Sequence, residues 1–344
     1  MQTLLKYYKG SFLLTLIGVA LGYYIDGARG AFIVGILSIL EISLSFDNAV
    51  VNATVLKDMD AVWRRRFMTW GMIIAVFGMR VIFPVLIVAI IAKVAPWSAL
   101  SMALYQPDLY ATTLTSAHIT IAGFGGAFLM MVFLKFFLDK EKDIHWVAAI
   151  EKPLSKLGKI EAVEIVITLL ATYLISQYIG THEQLTFIVS CIFGIVTFVI
   201  VDGFASLLES EEGHSHGVSD TTVAVARSGF ASFMYLEVLD ASFSFDGVIG
   251  AFALSHNIFI IAIGLGVGAM FVRSMTIMLV EKETLDQFRY LEHGAFYAIG
   301  ALATIMYLGT FVHISEVITG LIGAGFIGIA LVSSLIYNKK NKES

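Results

Sequence analysis

Apolar runs long enough to cross a bilayer follow one another along almost the whole chain, and no other feature limits its fold so severely. They fall near residues 11–27, 31–56, 68–93, 117–138, 161–180, 184–207, 227–254, 257–281, 291–310 and 314–337. Backbone in hydrocarbon must satisfy its own hydrogen bonds, and these runs lack the two-residue alternation of a barrel strand, so each is expected to be a helix. Ten spans of about 20 residues need about 200 apolar positions. The composition supplies them: 58% of the 344 residues are hydrophobic and only 14% are charged. A soluble domain carries about 25% charged residues. The expected fold is an all-α polytopic membrane protein of about ten transmembrane helices, with the lipid bilayer as its first partner. No stretch remains for a large soluble catalytic domain, so an enzyme is not expected. The one cysteine, Cys191, excludes an intramolecular disulfide and a Cys-rich metal site. A net charge of −5, with the basic residues in short loops, gives no reason to expect a nucleic-acid partner. The sequence carries no signal for an oligomeric state.

Lysine and arginine set the orientation. With the N-terminus inside, eighteen of the 22 basic residues fall on the inner side, among them Arg64, Arg65, Arg66, Lys140, Lys142 and Lys152. Only Arg29 and Lys93 fall outside, while Arg80 and Arg273 lie within spans. Such a bias predicts cytoplasmic N- and C-termini, in a bacterial inner (plasma) membrane. The first run, preceded by Lys6 and Lys9, reads as an uncleaved span rather than a signal peptide. Residues 1–138 then hold spans 1–4, residues 139–160 form a charged cytoplasmic linker, and residues 161–180 form span 5. Residues 181–337 hold spans 6–10, with an acidic, His-containing cytoplasmic loop at 208–226, and residues 338–344 are a cytoplasmic tail. The loop segment 209–217 reads as a solvated connector or a weak metal-collecting loop. Residues 94–116 read as an outer interfacial segment, with Trp97, Tyr105 and Tyr110 at headgroup level.

The chain also repeats itself. Leu40–Val50 (LEISLSFDNAV) aligns without gaps on Leu239–Ile249 (LDASFSFDGVI), with Glu41 opposite Asp240 and Asp47 opposite Asp246. Gly71 precedes Arg80 by the same interval that separates Gly264 from Arg273. Spans 1–5 therefore correspond to spans 6–10. Because five is odd, the halves are expected to lie in the membrane in opposite senses, as two inverted five-helix repeats. Transporters built this way bind substrate near the midplane, at the repeat interface.

The repeated segments carry acid into that interior. Glu41, Asp47, Asp240 and Asp246 are expected within ~12 Å of depth at ~1.5 Å per residue. Glu41, Ser45, Asn48 and Asn52 share one helical stripe, with Ser43, Asp47 and Thr54 beside it. Glu237, Asp240, Ser244 and Gly247 repeat the pattern, with Ser242 and Asp246 beside it. A charge at the centre of a span costs about 2.5–3.5 kcal/mol, so several together call for a reason. One reason is structural: Arg80 and Arg273 neutralise carboxylates in buried ion pairs. Two arginines against five carboxylates nevertheless leave acid in excess, and carboxylate, hydroxyl and amide oxygens suit a hard divalent cation. An oxyanion such as tellurite or phosphate would meet the wrong field.

Glu41-x-x-Leu44-Ser45-x-Asp47-Asn48 and Asp240-x-x-Phe243-x-x-Asp246 resemble, in order, the two signatures of the TerC family of integral membrane proteins, named for tellurium resistance. The nearest look-alike is a longer branch described as a domain of unknown function, within a grouping that contains LysE-type exporters and cation/proton exchangers. The resemblance covers roughly residues 30–310. It implies manganese efflux and a metal site formed by Glu41, Asp47, Asn48, Asp240 and Asp246, supported by Ser45, Ser244, Glu237, Arg80 and Arg273. One departure stands out. Many members have Ser-Ile-Pro after the second aspartate, where this chain has Gly247-Val248-Ile249, so a helix break there is open.

The leading expectation is a divalent-cation exporter, Mn²⁺ favoured over Ca²⁺, Mg²⁺ or Zn²⁺, moving metal ions against protons and holding no tight cofactor. Two alternatives stand beside it: an intramembrane aspartyl protease using Asp47 and Asp246, and a non-transporting scaffold for metallation or assembly of exported proteins. The protease reading lacks the Gly-x-Gly-Asp context that such enzymes carry, since Ser45-Phe46 and Ser244-Phe245 precede the aspartates.

Overall fold

The computed structural model describes residues 2–71, 73–212, 218–282, 284–312 and 314–342. The side chains of residues 2–5, 204–212, 218–228, 245, 246, 249, 253, 286, 316 and 341–342 lie outside the described residues, as does most of the acidic loop at 209–217. Every regular element among the described residues is helical.

Helix α1 (Gln2–Leu44) is two arms joined by a sharp reversal at Asp26 and Gly27, where Gly27 takes φ 59° and ψ −148°. That conformation is essentially reserved for glycine. The arms pack back to back on small residues, so tightly that a Cβ at Gly30 would lie 2.2 Å from the Gly22 carbonyl oxygen. The helical course is disturbed again at Ser45 (φ −106°, ψ 17°) before α2 (Phe46–Asp58) resumes it. After the short α3 (Ala61–Arg66), capped by the Asp60 carboxylate, the chain is π-helical over Phe67–Gly71 and Ile74–Ile82. The Phe83 N–H accordingly reaches back to the Gly78 carbonyl. Stretches of this kind are rare and concentrate at functional sites. They continue into α4 (Phe83–Ala92), which ends at Lys93 in the left-handed region.

Two short helices, α5 (Pro96–Tyr105) and α6 (Pro107–Thr115), occupy the expected interfacial segment. Trp97 and Tyr105 are exposed there, but Tyr110 is not at a headgroup surface: it is fully buried, with its ring 5.6 Å from that of Phe252. Then follow α7 (His118–Leu138), α8 (Ala148–Leu157), α9 (Val163–Ser176), α10 (Thr181–Glu212), α11 (Val218–Leu254), α12 (Ile258–Glu281), α13 (Thr284–Gln287), α14 (Leu291–Gly309) and α15 (Glu316–Lys342). Helix α11 runs unbroken through Gly247, so the interruption near the repeated motif lies in the first copy, at Ser45.

Six helical stretches among the described residues are long and apolar enough to cross a membrane: Lys6–Leu44, Ile74–Ala92, His118–Leu138, Thr181–Gly203, Ile258–Glu281 and Val317–Lys340. Two of them form the middle of the molecule: 72% of the most apolar stretch of His118–Leu138 and 61% of that of Ile258–Glu281 is buried, against a third or less in the other four. Those four present large apolar side chains outward, including Leu16, Phe32, Ile90, Phe193 and Leu321, each more than half exposed. A water-facing surface rarely carries so much contiguous apolar area. The chain is an α-helical integral membrane protein.

The charged linker at 139–160 is not simply solvated. Glu151 of α8 is fully buried and accepts hydrogen bonds from the Trp146 and Val147 N–H groups (3.1 and 3.0 Å) and the Tyr297 hydroxyl (3.3 Å). Lys142 Nζ lies 3.6 Å from its carboxylate, and His145 Nδ1 and His293 Nε2 each lie 3.5 Å away. The same ammonium sits 3.7 Å from the centre of the Phe136 ring, and burial pulls it down to about 8. This clasp ties the linker to α7 and α14.

Candidate functional site

The predicted polar stripe converges on one cavity. A cavity of about 60 Å³ is lined by Glu41, Ser45, Asn48 and Asn52 from α1 and α2, and by Asp240 and Ser244 from α11. Arg80 of the π-helical segment and Arg273 of α12 complete its polar wall. Since a water requires roughly 10–15 Å³ of such space, a small ion with part of its hydration fits. Glu41 lies near the middle of the helical course 28–58, and Asp240 near that of α11.

Each charged group here has a definite partner. Glu41, 2% exposed, accepts from Arg80 Nη2 and from the Ser45 hydroxyl at 3.0 Å. Arg80 also donates to the Ala75 carbonyl. The close approach of α12 to Glu41 depends on Gly268, where a Cβ would stand 2.5 Å from that of Glu41. Asp240 is half-buried and accepts from Asn52 Nδ2 at 2.9 Å. Arg273 donates to the Met68 carbonyl. The wall therefore carries two carboxylates and two guanidinium groups, of which Glu41 and Arg80 form an ion pair.

Three further oxygens, on residues that line this cavity, have no hydrogen-bond partner among the described residues. The Asn48 and Asn52 amide oxygens and the Ser244 hydroxyl are buried and unpartnered. A buried acceptor with no partner costs about 1–3 kcal/mol, so three around one cavity are unlike ordinary packing. Both oxygens of Glu237, likewise buried, are also without a partner. No three His, Cys, Asp or Glu side chains among the described residues come together as a metal cage. The cavity wall itself offers two carboxylates supplemented by amide and hydroxyl oxygens.

Not every expected residue joins the cavity. Asp47 is buried, but its Oδ1 accepts the Asn48 N–H at 3.0 Å and its Oδ2 faces Gly323 of α15, away from the cavity. Asp246 lies on α11, with its side chain outside the described residues. Met68, Met79 and Thr276 line the cavity, and nothing in the sequence pattern distinguishes them from other span residues. Larger hollows of about 470 and 500 Å³ lie nearby. One starts at Leu44, beside Ser45; the other takes in Val55, three residues beyond Asn52; neither shares a wall residue with the central cavity.

Neither the curated proteins nor the solved structures contain a match to this chain. A family model described as "Protein of unknown function (DUF475)" matches residues 46–341, taking in all of α2 to α14 and nearly all of α15. The chain belongs to this family of membrane proteins, DUF475.

Proposed function

We propose that the protein exports a divalent cation, Mn²⁺ in the first place, in exchange for protons, through the cavity between α1, α2, α11 and α12. The observation that carries the reading is the set of unpartnered buried oxygens, Asn48 Oδ1, Asn52 Oδ1 and Ser244 Oγ, beside the carboxylates of Glu41 and Asp240. All are hard oxygen donors of the kind Mn²⁺, Mg²⁺ and Ca²⁺ take. Met68 and Met79 in the same wall favour Mn²⁺ over the two harder ions, because a thioether suits softer metals. The TerC-like signatures point the same way. Protons enter because a carboxylate that gives up its cation in a desolvated site is relieved by taking up a proton.

The ten-span, inverted-repeat architecture belongs to this proposal. The two arms of α1, the second continued by α2, would supply spans 1 and 2. The π-helical segment with α4, then α7, α9, α10, α11, α12, α14 and α15, would supply the rest. Support comes from reciprocal packing: Gly71 lies against Glu237, while its repeat partner Gly264 lies against Leu37 and accepts from Ser38. The signature aspartates outside the described cavity, Asp47 and Asp246, would serve the same pathway.

Flux into proteoliposomes, compared across Mn²⁺, Ca²⁺, Mg²⁺ and Zn²⁺ with the membrane potential clamped, tests the reading. Mn²⁺ should move fastest, with protons moving the other way. No flux of any of the four would favour the scaffold alternative.

A further inference from the structure

Glu237 precedes Asp240 by three residues on α11, so the two share a helix face. Its side chain is 6% exposed, and neither carboxylate oxygen meets a hydrogen-bond donor. The two nearby arginines are engaged elsewhere: Arg80 by Glu41 and Ala75, Arg273 by Met68. Its Oε1 is directed at Gly71, where a Cβ would lie only 2.6 Å from it, and Gly71 is part of the cavity wall. Glu237 is not itself part of that wall, but its carboxylate packs against the one wall residue that carries no side chain.

The other half of the repeat closes the corresponding contact. Extending the ungapped alignment two residues towards the N-terminus sets Glu237 opposite Ser38. The Ser38 hydroxyl donates to the Val34 carbonyl at 2.7 Å and to the carbonyl of Gly264, the repeat partner of Gly71, at 3.0 Å. One half thus fills the position with a satisfied hydroxyl, and the other holds an acid with no donor. The charge balance gives that acid a use. The described wall carries Glu41 and Asp240 against Arg80 and Arg273, so a divalent ion would bring two positive charges that nothing there offsets.

We propose that Glu237 is an additional carboxylate ligand of the cation, reaching it through the gap at Gly71. This rests on the reading of the cavity as a divalent-cation site.

The experiment is Mn²⁺ binding to the purified full chain in nanodiscs, followed by the electron paramagnetic resonance of free Mn²⁺. Glu237→Gln should weaken binding about tenfold or more, the scale on which a metal site responds to loss of a supporting group. Gly71→Ala should weaken it as well by closing the gap, and the double variant should be no worse than Glu237→Gln alone. If Gly71→Ala fails to fold, Glu237→Gln decides alone, because removing a charge eases burial in the membrane. Wild-type affinity in Glu237→Gln, with binding lost in Asp240→Asn, overturns the proposal and leaves the cavity reading standing. Lost binding accompanied by a lowered metal-free melting temperature assigns Glu237 to the fold and also overturns it. A wild-type protein that binds no Mn²⁺ removes the cavity reading and this inference together.

Discussion

Replacing Arg80 by glutamine isolates an ion pair buried on both sides. The guanidinium is 6% exposed and the Glu41 carboxylate 2% exposed, so bulk water screens neither. In Arg80→Gln, Glu41 keeps only the Ser45 hydroxyl as a described donor, next to a half-buried Asp240. Breaking one side of a buried, hydrogen-bonded pair costs about 3–5 kcal/mol, because the remaining charge has no partner. The retained Ser45 hydroxyl offers partial relief, which places the expected loss near the lower end of that range. Removing both charges should cost much less than the two single changes together. The double variant Glu41→Gln/Arg80→Gln should therefore recover at least about 1 kcal/mol relative to additivity, within the range measured for residues in contact. Equilibrium unfolding in mixed micelles, over the four members of the cycle, supplies the numbers. A loss below about 1 kcal/mol for Arg80→Gln, or strict additivity in the double variant, would refute the claim that these side chains compensate one another in a desolvated site.

Asp240→Asn should abolish Mn²⁺ binding while the protein still inserts and folds, whereas Asp47→Asn should leave affinity unchanged because Asp47 faces α15; titration of purified protein distinguishes them. The linker clasp should depend on pH. Burial opposes ionisation of Glu151, but the Val147 N–H, Lys142 and the Trp146 N–H together hold its carboxyl below the usual carboxylate range. A depressed folded-state value contributes stability above the ordinary glutamate range and loses it as pH falls through the folded value. Protease cleavage within 139–160 should accordingly stay slow at neutral pH and rise only in strong acid, while Glu151→Gln should be cleaved readily at neutral pH.

The sequence displayed the site's main stripe because a polar side chain in a membrane helix has few places to go. Glu41, Ser45, Asn48 and Asn52, spaced by four, three and four residues, had to share a face, and that face had to avoid lipid. The end of the first apolar run near residue 27 was legible from hydropathy, and the reversal at Asp26–Gly27 falls there. Asp47 was harder. It sits one residue from Asn48, about 100° around the helix, and the composition of α15 gave no sign that Gly323 would receive it. The π-helical stretches Phe67–Gly71 and Ile74–Ile82 have no residue signature, and their packing against α11 and α12 is a tertiary feature that the local sequence does not announce. The linker showed its charge in the sequence but not its packing. Its charges look solvated along the chain, and only tertiary packing brings Lys142, His145 and His293 around Glu151.

That π-helical course sets a limit on how the gene can vary. Gly71 on one side of it is matched to Glu237, and Arg80 towards its far end is matched to Glu41. Deleting one codon between them would turn everything beyond it by roughly a quarter-turn about the helix axis. Either Arg80 would leave Glu41, or Gly71 would leave Glu237. Substitutions can accumulate on the lipid-facing side of this span, but its length in residues is fixed by two contacts that must be kept at once.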